Sequence, residues 1–63
     1  ATDYFQSYRS MIVKRVKGQV YLDEHYWDDS VTTSRYRNKF LYENTKETQK
    51  KIKDGTYILT NLN

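Results

Sequence analysis

From Val20 to Trp27 the side chains sort into two faces with a period of two, and beyond them the period changes. Ile12 and Val16 share a face, with Lys14 in register between them. Val20, Leu22 and Tyr26 fall on one face, interrupted by Glu24, and Tyr21, Asp23, His25 and Trp27 fall on the other. A period of two is the mark of a strand. The spacing predicts strands over 12–16 and 19–26, joined at Lys17-Gly18, where glycine accepts positive φ without steric cost.

Asp28-Asp29-Ser30 reads as a turn. Beyond it two periods compete. As a strand, 32–42 would put Thr32, Ser34, Tyr36, Asn38, Phe40 and Tyr42 on one face and Arg35, Arg37 and Lys39 on the other. As a helix, Thr33 or Ser34 would cap the N-terminus through its hydroxyl, and Tyr36 and Phe40 would stack at i, i+4. The helix, over about 34–42, is the expectation adopted. Asn44 followed by Glu47 has the form of a capping box and predicts a second helix over 45–53. Thr48 and Ile52 are its inner face, Glu47 and Lys51 an i, i+4 pair, and Gly55 a left-handed terminator. Residues 56–63 read as a strand returning to the hairpin, since two strands alone are marginal. The expected fold is a small single α+β domain: an N-terminal β-hairpin, one or two short helices and a C-terminal strand, in the order ββααβ. The alternative is βββα, which resembles the small sheet-and-helix DNA-binding domains of phage integrases. The expected core is Val20, Leu22, Phe40, Leu41, Ile52, Ile58 and Leu62.

Residues 1–10 look unlike the rest. Tyr4-Phe5-Gln6-Ser7 resembles the end of a viral-protease cleavage tag, although Asp3 stands where the tag has Leu. This segment is expected to be a flexible arm or an expression-tag remnant, with the domain over 11–63. As a native arm it would dock on a partner through Tyr4, Phe5 and Tyr8.

Composition narrows the function classes. A chain of 63 residues is a single domain, and domains of this size bury only about 60% of the surface of the unfolded chain. There is no cysteine, so neither a disulfide nor a cysteine zinc site supports the fold. Seven residues are Tyr, which covers apolar surface while keeping a polar tip. No run is long and apolar enough to span a membrane. With no secretory signal in view, a soluble, cytoplasmic protein without a membrane partner is expected.

The net charge is +3, and its distribution says more than its size. Arg35, Arg37, Lys39, Lys46, Lys50, Lys51 and Lys53 face only Glu43 and Glu47 over 35–53. Asp23, Glu24, Asp28 and Asp29 form an acidic knuckle. One reading follows from the basic half: those seven cations neutralise nucleic-acid phosphates, Tyr36 and Tyr42 stack on unpaired bases, and 45–53 acts as a recognition helix. The other is a protein interface at the hairpin, with Tyr21, His25, Tyr26, Trp27, Asp28 and Asp29 as anchors and the knuckle imitating a phosphate backbone. An exposed hairpin edge would also allow a homodimer by strand pairing. His25 and Asp23 share a strand face, but a lone His among scattered carboxylates falls short of a metal site. No nucleophile–base pair or phosphate loop is visible, so neither a catalytic residue nor a cofactor is expected.

From Trp27 onward the chain resembles small uncharacterised accessory proteins of tailed bacteriophages. Ser30, Thr32-Thr33, Tyr36-Arg37-Asn38, Phe40-Leu41, Lys50-Lys51-Ile52-Lys53 before Gly55, and Asn61-Leu62-Asn63 carry the resemblance. It implies a non-enzymatic phage protein acting in the host cytoplasm. The expectation is binding and modulation of a host protein, with nucleic-acid binding as the alternative.

Overall fold

The hairpin forms as the alternation requires, and the sheet is one strand wider on the N-terminal side than expected. The computed structural model describes residues 2–7 and 9–63. The elements in order are β1 (Thr2–Ser7), β2 (Ser10–Val16), β3 (Gln19–Asp23), α1 (Val31–Leu41), α2 (Thr45–Lys53) and β4 (Tyr57–Thr60). They make a small α+β domain with one sheet of order β1-β2-β3-β4 among the described residues. β1, β2 and β3 run antiparallel, and β4 lies parallel to β3 after the two-helix crossover. Residues 32–42 are therefore not a strand, and the βββα alternative is set aside. Nor, among the described residues, is there a third helix to set 45–53 as the recognition helix of a helix-turn-helix: α1 packs over β1 and α2 over β4.

The flexible-arm expectation gives way over Thr2–Ser7, which pair along β2 from Thr2–Val16 to Ser7–Ser10. Tyr8 lies outside the described residues. The register slips between Phe5, opposite Val13, and Gln6, opposite Met11, leaving Ile12 as an extra residue on β2. Such a bulge re-aims a side chain, and the consecutive Ile12 and Val13 are both buried. At the β2–β3 turn Lys17 and Gly18 both have positive φ, as a tight two-residue hairpin of right-handed twist requires. β3 stops at Asp23, three residues short of the expected end, because the chain turns there and the Trp27 amide donates to the Asp23 carbonyl at 3.0 Å.

Cross-strand register sorts the side chains by face. Phe5–Val13–Leu22–Leu59 and Asp3–Arg15–Val20–Tyr57 are rows on the helix side. Phe40 of α1 meets that side, stacking on Phe5 with centroids 6.0 Å apart, while the Arg15 guanidinium lies 4.9 Å from its ring. The buried core is Ile12, Val13, Val20, Leu22 and Tyr57, with Phe5, Tyr26, Trp27, Phe40, Leu41 and Ile52 packed around it. This corrects the expectation for the last strand. Parallel pairing sets Tyr57 beside Val20, so Tyr57 turns inward, Ile58 is exposed and Leu62 only half-buried.

α1 begins three residues before the expected start. Ser30, not Thr33 or Ser34, is the N-cap, and its hydroxyl oxygen accepts from the Thr33 amide at 3.1 Å. α2 agrees with the sequence reading: the Asn44 side chain accepts from the Glu47 amide at 2.8 Å and the Asn44 amide donates to Glu47 at 3.2 Å. Gly55, at φ 86°, follows its end.

Candidate nucleic-acid interface

Several charges that look solvent-facing in the sequence are structural. Arg37 is 0% exposed. Its Nη1 donates to the Trp27 carbonyl and faces Asp28 Oδ1 at 3.4 Å; its Nη2 donates to Asn38 Oδ1 at 3.0 Å and Thr45 Oγ1 at 2.8 Å. Arg37 thus clips the loop before α1 to the start of α2, and its Nε is buried without a partner among the described residues. The nucleic-acid reading of Arg37 is withdrawn, because a guanidinium spent on four internal acceptors and shielded from water meets no phosphate.

Glu43, in the turn between the helices, is the second such group. Its Oε1 accepts from Lys51 Nζ at 2.7 Å and the Tyr57 hydroxyl at 2.6 Å, and its Oε2 accepts from the Thr48 hydroxyl at 2.5 Å. Burial pushes the Glu43 carboxyl up, but the hydrogen bonds from Lys51, Thr48 and Tyr57 outweigh it and hold it below its ordinary value. The Glu43 hydrogen bond raises Lys51, and burial with the same carboxylate raises Tyr57. Lys51 therefore counts as a tether of α2 to β4 more than as a phosphate contact.

Asp23 is the third, also 0% exposed. Its Oδ2 accepts from the amides of His25 and Tyr26, both at 3.0 Å. Its Oδ1 accepts from the Leu62 amide at 2.8 Å and Asn63 Nδ2 at 3.0 Å. Burial raises this carboxyl, and the four donors more than reverse the effect. The acidic knuckle is thus dismantled as an imitation phosphate backbone. Asp23 is internal, and Asp28 binds Arg37 and the Ser34 hydroxyl; Glu24 and Asp29 stay exposed.

The expected protein-interface residues are scattered. Tyr26 and Trp27 pack on the core, and the Trp27 ring lies 5.2 Å from the Arg37 guanidinium. His25 is exposed beside Tyr26. Tyr21 lies in β3 on the side of the sheet away from the helices. No group of three or more His, Asp or Glu among the described residues is arranged to hold a metal ion.

What remains exposed on the helical layer has a surplus of positive charge, with Glu47 of α2 and its C-cap Asp54 as exposed carboxylates. Arg35 and Lys39 are exposed one turn apart on α1, and Lys46, Lys50 and Lys53 are exposed along one stripe of α2. None of the five has a carboxylate within ion-pair distance among the described residues. Tyr36 is exposed, with Lys39 Nζ 5.6 Å from its ring centre. Tyr42 caps α1 in the left-handed region, φ 56° and ψ 46°, and is 93% exposed. An open groove of about 660 Å³ runs from the turn at Asp28–Ser30 past Arg35, Asn38 and Lys39 to Thr45.

Sequence reasoning did not assemble one further group: Tyr4, Lys14, Tyr21 and Ile58, a row across all four strands on the open side of the sheet. The odd–even alternation of the hairpin carried part of the signal, but Tyr4 lay in the segment set apart as an arm.

Residues 1–55 match the model of a family of unknown function, DUF8033. The chain belongs to this family. The family's span takes in the segment that resembles a cleavage tag, and nothing in the match ties the family to bacteriophages. No curated protein and no solved structure matches the chain. No helix among the described residues is long and apolar enough to cross a membrane.

Proposed function

We propose that this protein is a small, non-enzymatic nucleic-acid-binding module whose helical layer contacts phosphates. One observation carries the reading: Arg35, Lys39, Lys46, Lys50 and Lys53 are exposed on consecutive helices with no carboxylate paired to them among the described residues. Solvated lysines alone keep small domains soluble. Here three of the acidic residues near them are turned to internal work, with Asp23 and Glu43 inside and Asp28 on Arg37, while Asp29, Glu47 and Asp54 stay exposed without an ion pair among the described residues. The exposed Tyr36 and Tyr42 add ring faces to the same layer.

Fluorescence-anisotropy titration with single- and double-stranded DNA and RNA, at low and high salt, tests the proposal. Binding should fall steeply with salt. In Lys46/Lys50/Lys53→Ala the slope of log K against log salt should lessen by about 2 on single strands and about 3 on duplex. Absence of binding at low salt would remove this reading.

A second reading has its own support. β4 is an edge strand, and Ile58 and Leu59 on it are exposed. An unpaired edge with apolar side chains suits strand addition by a host protein or a second copy. Capture of a partner by the wild type but not by Ile58→Lys would favour it.

A further inference from the structure

The side of the sheet turned away from the helices carries a row that the helical reading leaves unused. Tyr4 stands opposite Lys14, Lys14 opposite Tyr21, and Tyr21 opposite Ile58. Neighbouring strands are about 4.8 Å apart, which sets Tyr4 and Tyr21 roughly 10 Å apart with Lys14 between them. Tyr4 is 54% exposed. Tyr21 and Lys14 line a hollow of about 400 Å³, one wall of which is the tail residues Asn61 and Leu62. That wall is fixed, because the Leu62 amide donates to Asp23 and the Asn63 side chain bridges to both Asp23 and the Met11 backbone. Among the described residues the side chains of Tyr4, Lys14 and Tyr21 make no hydrogen bond or ion pair.

Charge selects the occupant. The strand residues sharing this side with Lys14 are uncharged except for Asp23, which is buried with both oxygens occupied. Among the described residues the face therefore offers two phenol rings around one unpaired cation and no exposed strand carboxylate. A ring beside a cation fits a nucleotide, whose base has a π face and whose phosphate is anionic. A duplex keeps its bases stacked inside and cannot present them to a sheet.

We propose that this face seats the unpaired bases of a single-stranded nucleic acid, one base in the hollow against Tyr21, another on Tyr4, and a phosphate at Lys14. The proposal rests on the nucleic-acid reading above and specifies the form of the ligand.

The full chain is titrated with a labelled oligothymidine, with an abasic strand of the same length and charge, and with a hairpin duplex. The single strand should bind more tightly than the abasic strand. Tyr21→Leu should weaken it by about tenfold or more, Tyr4→Leu should weaken it in the same sense, and Tyr21→Phe, which keeps the ring, should retain binding. Lys14→Gln should lower the salt slope by about 1. Far-UV circular dichroism confirms that each variant is folded.

Equal affinity for the abasic strand overturns the proposal. So does wild-type binding in folded Tyr21→Leu together with loss in Lys46/Lys50/Lys53→Ala, a result that leaves the helical reading standing. Failure of every oligonucleotide to bind removes both. Self-association that disappears in Tyr4→Leu assigns the face to a second copy and also overturns the proposal.

Discussion

Arg37 of α1 lies 5.2 Å from the centre of the Trp27 ring and donates to the Trp27 carbonyl, so one side chain holds both the ring and the backbone of the residue that closes the core after β3. Its other arm reaches Thr45 at the first turn of α2. Arg37→Met should destabilise the domain by about 2–4 kcal/mol, because a buried network loses its donor and its acceptors go unpaired. Arg37→Lys should recover little, since an ammonium lacks the planar fork that serves several acceptors at once. Urea unfolding followed by Trp27 fluorescence measures both. Nucleic-acid salt slopes of the folded fraction should not change.

Acid should unfold the protein through two internal carboxylates. Asp23 and Glu43 are both held below their ordinary values in the fold. A depressed folded-state pKa gives stability that is present above the unfolded value, near pH 4, and is lost as pH falls through the folded value. Lys51 and Tyr57 are raised, so their contribution is present below their unfolded values and lost as pH rises through the folded ones. Urea midpoints should therefore fall below about pH 4 and again in strong alkali. Glu43→Gln should flatten the acid limb; an unchanged acid limb would contradict the network.

Tyr42 ends α1 with positive φ and almost full exposure. A non-glycine residue in the left-handed region costs about 1 kcal/mol, and glycine removes that cost. Tyr42→Gly should raise the melting temperature by roughly 4–8 °C. If the ring stacks on bases, the same variant should bind oligonucleotide more weakly while being more stable. Calorimetry and anisotropy on one sample separate the two effects.

Asn63 joins segments far apart in sequence, the tail and β2. Its side chain accepts from the Met11 amide at 2.8 Å and donates to the Met11 carbonyl at 3.1 Å. Asn63→Ala should cost about 1–2 kcal/mol, and amide hydrogen exchange at Met11 should speed up selectively. Uniform acceleration across the sheet would mean that the tail carries more of the fold than this contact.

Features set by nearby residues were legible in the sequence. The hairpin turn, the Asn44–Glu47 capping box and the stop at Gly55 each depend on chemistry within a few positions, and the structure has all three. The start of α1 was misread because Ser30, Thr33 and Ser34 all have the chemistry of a cap, and Thr32-Thr33 favour a strand until packing draws them into the first turn. Features set by distant partners were not legible. Arg37 and Asp23 look solvated in sequence, and only acceptors and donors brought in from other elements make their burial affordable. Thr2–Ser7 becomes a strand because β2 offers it an open edge. The inward turn of Tyr57 follows from its parallel register with β3 and its hydrogen bond to Glu43. Local chemistry thus determined which elements exist, while pairing across the sheet decided which charges and rings face water, because burial depends on neighbours the chain reaches only by folding.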